Sequence, residues 1–405
     1  MRRDTLIALI LGLALGAGTA DAQTAKLSGP TLRIGVINDA SGPNAGTSGE
    51  GSVIGARMAA EEFGDKVLGV PIEILSADHQ NKADIGVGIA KKWYDVDGVD
   101  AIFDVSNSAV SLAIAALVKD RKKLVFHNSG TTALTGAACT PRSIQWMYNG
   151  FATTANLVTQ QDIDSGLDSF FIIAVDYALG KAVTSAFKSA IVPKGVKVVG
   201  EVRHPLGTAD FSSYLLQAQA SGAKAILLAD GGQDLANIIK QASEFQISPK
   251  MKLFAAAMTT SEIAADGQAV VQGVREVSFY EWNRDEVAKK WAEAFAARNG
   301  GKLPVGSQAA TYSQVRAYLK AVEAAGTDDA DAVLEKLRST PVDDAFTANG
   351  HLRADGQMVH DMYVVEVKSP EQSKSNGDYT TILQTIPGDR AFQNAEQSEC
   401  PTFKK

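Results

Sequence analysis

From Thr31 onward, short apolar runs that are typical of buried strands alternate with stretches in which apolar residues recur every three or four positions. Ile85, Ile89 and Trp93, for example, form an i, i+4, i+8 stripe that predicts a helix. Strands alternating with amphipathic helices favour a parallel sheet that is covered on both faces. The first part of the chain predicts strands at 32–37, 71–75, 101–105 and 124–126, and helices at 53–63, 85–93 and 110–117.

The same alternation restarts after Gly150. It predicts strands at 169–175, 196–202, 225–229 and 252–254, and helices at 181–192, 211–220 and 235–245. After Ser278 helices predominate, at 286–298, 308–325 and 331–338, before a strand at 362–367 and a polar tail. Two βα sets of similar length predict an α/β protein with two doubly wound parallel-sheet lobes.

The N-terminus has the pattern of a secretory signal peptide. Arg2 and Arg3 precede an apolar run at 6–17, and Ala20-Asp21-Ala22 supplies the small residues of a cleavage site. The run is shorter than the roughly 20 apolar residues that span a bilayer. No cysteine lies near the cut, which argues against a lipid anchor. We therefore expect a signal peptide at 1–22, cleaved after Ala22, and a mature chain in the periplasm.

Length and charge narrow the classes of function. The mature chain is too long for one core and suits two domains of ordinary size. The whole chain of 405 residues carries a formal charge of −7 and has no basic run, so it is a poor candidate for binding nucleic acid or an anionic membrane.

The chain has two cysteines, Cys139 and Cys400. In an oxidising compartment an isolated pair favours one disulfide, which here would tie the C-terminal tail back to the first third of the chain. Two buried free thiols are the alternative. Neither cysteine lies in a spacing that is typical of zinc sites.

Ligands of doubly wound sheets bind beyond the carboxyl ends of the strands, where helix N-termini point. Three polar loops of the first lobe lie there, at 41–47, 106–108 and 128–132. Their hydroxyls and backbone N–H groups suit a carboxylate, and the first loop contributes the candidates Asn44 and Thr47. Helix capping explains any single loop equally well, but the convergence of three loops favours a site.

The second lobe offers strand-end loops at 176–180, 230–233 and 256–260. Tyr280 and Trp282 follow the next strand and are candidates for stacking on a ligand, with packing in a core or hinge as the alternative.

Other motifs do not indicate a cofactor, a metal site or catalysis. The glycines at 49, 51 and 55 lie too far beyond a strand, and at the wrong spacing, for a dinucleotide fingerprint. The five histidines are scattered, and no G-x-S-x-G nucleophile motif accompanies Asp78-His79. We expect no cofactor, no metal and no enzymatic activity.

In this order, several weak motifs together resemble the periplasmic solute-binding proteins of branched-chain amino acid importers, which have the type I two-lobed fold. The resemblance covers nearly the whole mature chain. It rests on Ser41-Gly-Pro43, Asp78-His-Gln-Asn81, Asn128-Ser-Gly-Thr-Thr-Ala-Leu-Thr135, Asp176-Tyr-Ala-Leu-Gly180 and Ser278-Phe-Tyr-Glu-Trp282.

The resemblance implies a Venus-flytrap mechanism in which a solute is captured for an ABC permease in the inner membrane. Lobe one would comprise 31–148 and 281–355, and lobe two 149–280 and 356–405, joined by three crossovers. Closure of the lobes would shift the population towards a form that the permease recognises. The implied ligand contacts are Asn107, Ser108, Gly130 and Thr131 in lobe one, and Tyr177, Leu179, Asp230 and Gly231 in lobe two.

The chain departs from amino acid binders of this family at Ala257, where they carry an acid that pairs with the ligand ammonium. Leu179 also takes the place of a stacking tyrosine. A buried ammonium without a carboxylate partner would be costly, so these departures favour an aromatic or aliphatic acid. Asp230 is a possible replacement for the acid, which keeps branched-chain amino acids as the alternative.

The predicted function is therefore capture of a small carboxylate-bearing solute, by a protein that we expect to be monomeric. The alternatives are a ligand-sensing subunit for a membrane receptor and, with less support, an exported hydrolase. A hydrolase needs a nucleophile with a placed base or a metal cluster. A transcription regulator of similar fold would need a helix-turn-helix in place of the signal peptide.

Overall fold

A computed structural model describes residues 27–42, 45–176, 178–247, 250–256, 258, 262–264 and 267–401. The predicted signal peptide and the candidates Asn44, Tyr177 and Ala257 lie outside these residues. Within the described ranges, no helix is both long enough and apolar enough to cross a membrane.

The strands are β1 (Leu32–Asn38), β2 (Lys66–Val67), β3 (Val70–Asp78), β4 (Ala101–Val105), β5 (Leu124–His127), β6 (Ser143–Gln145), β7 (Ser169–Val175), β8 (Lys197–His204), β9 (Ala225–Ala229), β10 (Lys252–Ala255), β11 (Arg275–Ser278), β12 (His351–Leu352), β13 (Met358–Val359), β14 (Met362–Val367) and β15 (Thr380–Ile386).

The α-helices are α1 (Gly49–Glu61), α2 (Ala83–Lys92), α3 (Ser108–Val118), α4 (Gly150–Ala155), α5 (Gln160–Asp164), α6 (Ala178–Ile191), α7 (Ser212–Ala220), α8 (Gly232–Glu244), α9 (Gln268–Val271), α10 (Glu286–Arg298), α11 (Gly306–Ala325), α12 (Ala330–Ser339) and α13 (Gly388–Ala391). The α/β prediction is confirmed. The predicted elements at 169–175, 225–229, 286–298 and 362–367 agree with β7, β9, α10 and β14 to the residue.

The first sheet has the strand order β2-β3-β1-β4-β5-β6. All its pairings are parallel except that of β2 with β3. The chain moves outward from β1 in one direction to β3 and in the other to β4. This reversal opens a crevice at the carboxyl ends of β1 and β4, where ligands of such sheets bind.

The second sheet has the order β15-β14-β11-β10-β9-β7-β8. Here too the strand order reverses, because β8 lies on one side of β7 and β9 on the other. β14 and β15 are antiparallel to their neighbours, whereas the other pairings are parallel. The expectation of a polar tail after residue 367 was wrong, because this region contains β15. β15 is an edge strand with exposed threonine and glutamine side chains, so it carries no apolar run for pattern analysis to detect.

Each sheet is covered by two clusters of buried residues. The larger cluster of each sheet is here called the first or the second core, and the chain runs between these two cores. The first core draws its buried residues from 32–147 and 280–358, and includes the stacked rings of Phe103 and Phe126, 4.6 Å apart. The second core draws its buried residues from 152–277 and 359–392. In the described chain, Tyr148 and Phe279 pack against both cores, so they lie at the boundary between them.

Candidate functional site

A cleft of about 1340 Å³ lies between the two sheets. On the side of the first sheet it is lined by loops that follow β1, β4 and β5, and on the other side by α6, the start of α8, and the ends of β10 and β11. The carboxyl ends of both sheets therefore face the same cavity, which is where the sequence predicted a site.

The floor of the cleft on the first sheet is rich in hydroxyl groups. Ser106, Ser108 and Thr131 line it, and the Ser108 hydroxyl lies 3.0 Å from that of Ser129. Ser108 is the first residue of α3, so the partial positive charge of that helix end faces the cleft. This wall offers hydroxyl and backbone donors for an anionic group, and Arg353 also lines the cleft.

Gly130 allows an aromatic ring to lie against this floor. A Cβ atom at that position would stand 2.7 Å from the Tyr148 ring, which is closer than real contacts allow. The Gly130 carbonyl also accepts a hydrogen bond from the Gly150 amide at 2.9 Å, which ties the floor to the first crossover. Substitution of Gly130 would therefore displace Tyr148.

A buried polar network holds the strand ends below the floor in place. The Asp104 carboxylate accepts hydrogen bonds from the side-chain amides of Asn38 (2.9 Å) and Asn128 (2.7 Å). Burial raises the pKa of Asp104 to about 6, and its backbone has the left-handed φ of 62°. Because Asn128 also lines the cleft, the network connects β1, β4 and β5 to the site.

The opposite wall is largely apolar. Leu179, Ala182, Val183 and Ala186 of α6 line it, together with Ser185 and Ser189 of the same helix. Tyr148 and Phe279, whose ring centroids lie 4.9 Å apart, close the inner end at the boundary of the two cores. Such a wall suits the apolar body of a small solute.

Two carboxylates, Glu262 and Glu276, also line the cleft on the side of the second sheet. Glu276 lies on β11 with 4% of its surface exposed. Burial, with the neighbouring carboxylates of Glu281 and Glu262, raises the pKa of Glu276 well above its ordinary value. Burial and the same two cleft carboxylates raise the pKa of Tyr148 to about 12. The Glu276 carboxyl therefore holds its proton more strongly than an exposed glutamate does, and a cation beside it would favour the ionised form.

Six of the predicted ligand-binding residues, Thr47, Ser108, Gly130, Thr131, Leu179 and Tyr280, line the cleft. The Thr47 carbonyl accepts a hydrogen bond from Ser307, which fixes the first loop against α11. Tyr280 is buried and stacks on Phe346 with a centroid distance of 6.3 Å, so most of its ring belongs to the first core.

Asn107 does not line the cleft in the described structure. Its side-chain oxygen caps α3 by accepting hydrogen bonds from the amides of Ala109 (2.8 Å) and Val110 (3.1 Å). Its side-chain amide donates to Asn81 at 3.1 Å. Asn107 therefore acts as a helix cap, which was the alternative considered for this loop. The next residue, Ser108, presents its hydroxyl to the cleft.

Asp230 is fully buried and hydrogen-bonded to His204, which is also fully buried. Burial raises the pKa of Asp230, against the opposing effect of His204. Neither Asp230 nor Gly231 is among the described cleft-lining residues. The Asp230 carboxylate is thus engaged with His204 inside the second lobe, and its role as a replacement for the missing acid stays a prediction.

Trp282 also lies outside the described cleft lining. Its indole N–H donates to the Gly377 carbonyl at 2.9 Å, and its ring packs against the first core. The structure therefore shows Trp282 packed in a core, which was the alternative to stacking on a ligand.

The structure confirms the predicted disulfide between Cys139 and Cys400, whose Cα atoms lie 5.5 Å apart. It also brings C-terminal residues to the cleft, among them Gln393, Gln397 and Ser398. These residues and Glu276 were not among the predicted site residues. Glu276 occupies an interior strand position, and only its burial in a cleft distinguishes it from a surface glutamate.

Among the described residues, Asp39, Asp78 and His79 place potential metal-ligand atoms within 4.8 Å of one another. Both carboxylates already accept hydrogen bonds from the protein, Asp39 from Asn81 at 2.6 Å and Asp78 from Ser41 at 2.5 Å. These contacts organise the first loop and do not indicate a metal site.

Comparisons with known proteins agree with this architecture. The model of the family described as periplasmic binding protein matches residues 31–377. A periplasmic binding protein from Burkholderia mallei is 40% identical, with a TM-score of 0.81 over 92% of this chain and 99% of that structure.

A branched chain amino acid ABC transporter periplasmic ligand-binding protein from Burkholderia xenovorans LB400 is 39% identical, with a TM-score of 0.88 over 92% of this chain and 100% of that structure. The Leu/Ile/Val-binding protein homolog 8 of Brucella suis is 24% identical over 369 residues, which cover 85% of this chain and 88% of that protein.

Proposed function

The chain belongs to the periplasmic binding protein family, and from this premise we propose that it captures a small carboxylate-bearing solute for an ABC importer by closure of its two lobes. The observation that carries the proposal is the cleft between the carboxyl ends of the two sheets, which has a hydroxyl-rich floor at a helix N-terminus and an apolar facing wall. The partner is a permease in the inner membrane, and the mature protein acts in the periplasm.

The proposed lobes comprise 31–148 with 281–355 and 149–280 with 356–405. The distribution of buried residues between the two cores supports these limits, since the chain leaves one core for the other after 147, 277 and 358. Rotation about these three crossovers would close the cleft.

The ligand that suits the cleft best carries an ammonium group as well as a carboxylate. Ser108 and Thr131 would bind the carboxylate, and Glu276, with Glu262 beside it, would pair with the ammonium. The pair Tyr148 and Phe279 would contact an apolar or aromatic side chain. The carboxylates of the second lobe thus reverse the preference that Ala257 suggested, and favour an amino acid over an aromatic or aliphatic acid.

A thermal-shift and calorimetric screen of the mature protein tests this function. L-leucine and L-phenylalanine are compared with 4-methylpentanoate and 3-phenylpropanoate, which lack the amino group. A ligand at 100 times its dissociation constant adds about 2.7 kcal/mol to the free energy of unfolding, so the melting temperature should rise with an amino acid. Binding of the deaminated acids alone would refute the amino acid assignment, and no response to any carboxylate would count against solute capture.

Thr131→Ala is expected to weaken binding of the ligand found in that screen by about 1–3 kcal/mol, or roughly 5- to 150-fold. The Thr131 hydroxyl lines the cleft and accepts a hydrogen bond from the Ala133 amide, which orients it. Calorimetric titration measures the effect. Thr131→Ser should keep most of the affinity, and Thr381→Ala, on the exposed edge strand, should keep all of it. Equal affinities for all four proteins would remove Thr131 from the site.

Glu276→Gln is expected to weaken amino acid binding by at least about tenfold, because a buried ammonium then loses its charged partner. Affinity for the matching deaminated acid should not fall. Glu281→Gln is the comparison variant, since Glu281 is buried just beyond the end of β11, bonds Thr380 at 2.7 Å and lies outside the described cleft lining. Because the Glu281 carboxylate raises the pKa of Glu276, this variant should not weaken amino acid binding. An equal loss of affinity in Glu276→Gln for the amino acid and for the deaminated acid would show that Glu276 only supports the fold.

The same carboxylate predicts a pH dependence of binding. Burial raises the pKa of Glu276, so this carboxyl takes up its proton at a higher pH than an exposed glutamate does. Only the ionised form compensates the ammonium, so wild-type affinity for the amino acid should increase from pH 5 to pH 8, and this increase should be smaller in Glu276→Gln.

A further inference from the structure

The C-terminal segment after the second core crosses back to the first sheet. Ala391 and Phe392 are buried in the second core, where the Ala391 carbonyl accepts a hydrogen bond from the Asn156 side chain at 2.9 Å. Eight residues later, Cys400 is bonded to Cys139, in the loop between β5 and β6. The segment 393–400, here called the strap, therefore joins the two cores.

The strap is fastened at several points along its length. Arg353, which is also paired with Asp355 at 2.6 Å, donates a hydrogen bond to the Gln393 carbonyl. Near the other end, the Ser398 hydroxyl donates to the Thr135 carbonyl at 2.8 Å. The disulfide fixes this end covalently, and Cys400 is 1% exposed.

The strap runs beside the third crossover. Arg353 and Asp355 immediately precede this crossover, and the Gly356 carbonyl there accepts a hydrogen bond from the Gln145 amide of β6 at 2.8 Å. The side chain of Gln357 donates to the Met147 carbonyl at 3.3 Å, next to the first crossover. The strap thus lies where movement between the lobes would be concentrated.

The strap also reaches the cleft. Gln393, Gln397 and Ser398 line it, together with Gly136 and Ala137 of the loop that carries Cys139. Thr131, the proposed carboxylate contact, precedes this same loop. A change in the position of the strap would therefore change both the separation of the lobes and one wall of the cleft.

We propose that the Cys139–Cys400 disulfide makes the strap a fourth, covalently closed connection between the lobes, which limits how far the ligand-free protein opens. Beyond the proposed function, this adds a restraint on lobe movement that depends on the oxidation state of two cysteines. It rests on the lobe movement proposed above but not on the identity of the ligand.

Two variants separate this restraint from general stabilisation by a disulfide. Cys139→Ser/Cys400→Ser removes the bond. In the second variant, six Gly-Ser residues are inserted between Gln393 and Asn394, where Asn394 is exposed, so the bond remains but the strap becomes slack. Lengthening the closed loop of 261 residues by six changes its closure entropy negligibly.

The ligand-free proteins are compared by small-angle X-ray scattering and amide hydrogen exchange. Both variants should have a larger radius of gyration than the wild type, and their crossovers near 148, 279 and 358 should exchange about tenfold faster. A slack-strap variant that matches the wild type in both measurements would overturn the proposal and leave the disulfide only a stabilising role. Since no ligand is used, failure of the ligand assignment cannot produce that outcome.

Discussion

The double variant Cys139→Ser/Cys400→Ser is expected to lower the free energy of unfolding by about 3–5 kcal/mol. A crosslink restricts the unfolded chain more strongly the longer the loop that it closes, and this loop spans 261 residues. Cys400 is buried, so the substitution also places a serine hydroxyl in a poorly solvated position there. Urea unfolding followed by circular dichroism, with and without a reducing agent, measures the loss.

The slack-strap variant serves as the control for this measurement because it keeps the crosslink. Its unfolding midpoint should stay close to that of the wild type in non-reducing buffer. When the disulfide is reduced in the unfolded state, the midpoints of both proteins should fall to that of the double variant. A double variant as stable as the oxidised wild type would show that the native disulfide is offset by strain or by residual structure in the unfolded chain.

The wild type is expected to lose stability between pH 8 and pH 4.5. In His127→Gln this loss should be smaller by about 2–3 kcal/mol. His127 is fully buried at the end of β5, and burial lowers its pKa from 6.5 to about 3. The folded protein therefore binds fewer protons than the unfolded chain in this range. Stability that is complete above pH 6.5 is lost as the pH falls towards 3.

The substitution keeps a polar group within reach of the Ser143 hydroxyl, which lies 2.9 Å from His127 Nε2. The difference in unfolding free energy between the two proteins should be constant above pH 7 and should shift steadily in favour of the variant below it. His360, whose pKa burial lowers to about 4, should behave in the same way when replaced by glutamine. Parallel stability profiles for wild type and His127→Gln would show that His127 is protonated without cost in the folded protein.

Most elements of the fold were predictable because their patterns are local. β7 and β9 are fully apolar where both faces are covered, and α10 begins at an Asp285 cap and repeats its apolar side chains at helical spacing. Among the elements that were missed, β6 and β15 are edge strands, so neighbouring strands define them more than their own residues do.

The site was predictable to the level of loops. Position after a strand was enough to select the loops at 106–108 and 128–132, because the carboxyl ends of parallel strands share one edge of the sheet. Within these loops, the resemblance implied Ser108, Gly130 and Thr131. Position was not enough to separate Ser108 from its neighbour Asn107, whose side chain turns back to cap the helix. Adjacent residues differ in direction, and that direction depends on the packing around them.

Sequence alone determined the α/β class, the two lobes and the edge of the sheet at which a ligand would bind, and it favoured the disulfide. Each follows from local periodicity or from residue types whose chemistry depends little on context. Only the tertiary structure decided which charges reach the cleft. It buried Asp230 against His204, brought Glu276 of β11 to the ligand-facing wall, and carried the strap across both lobes. These positions depend on contacts between residues far apart in the chain, and no local pattern records them.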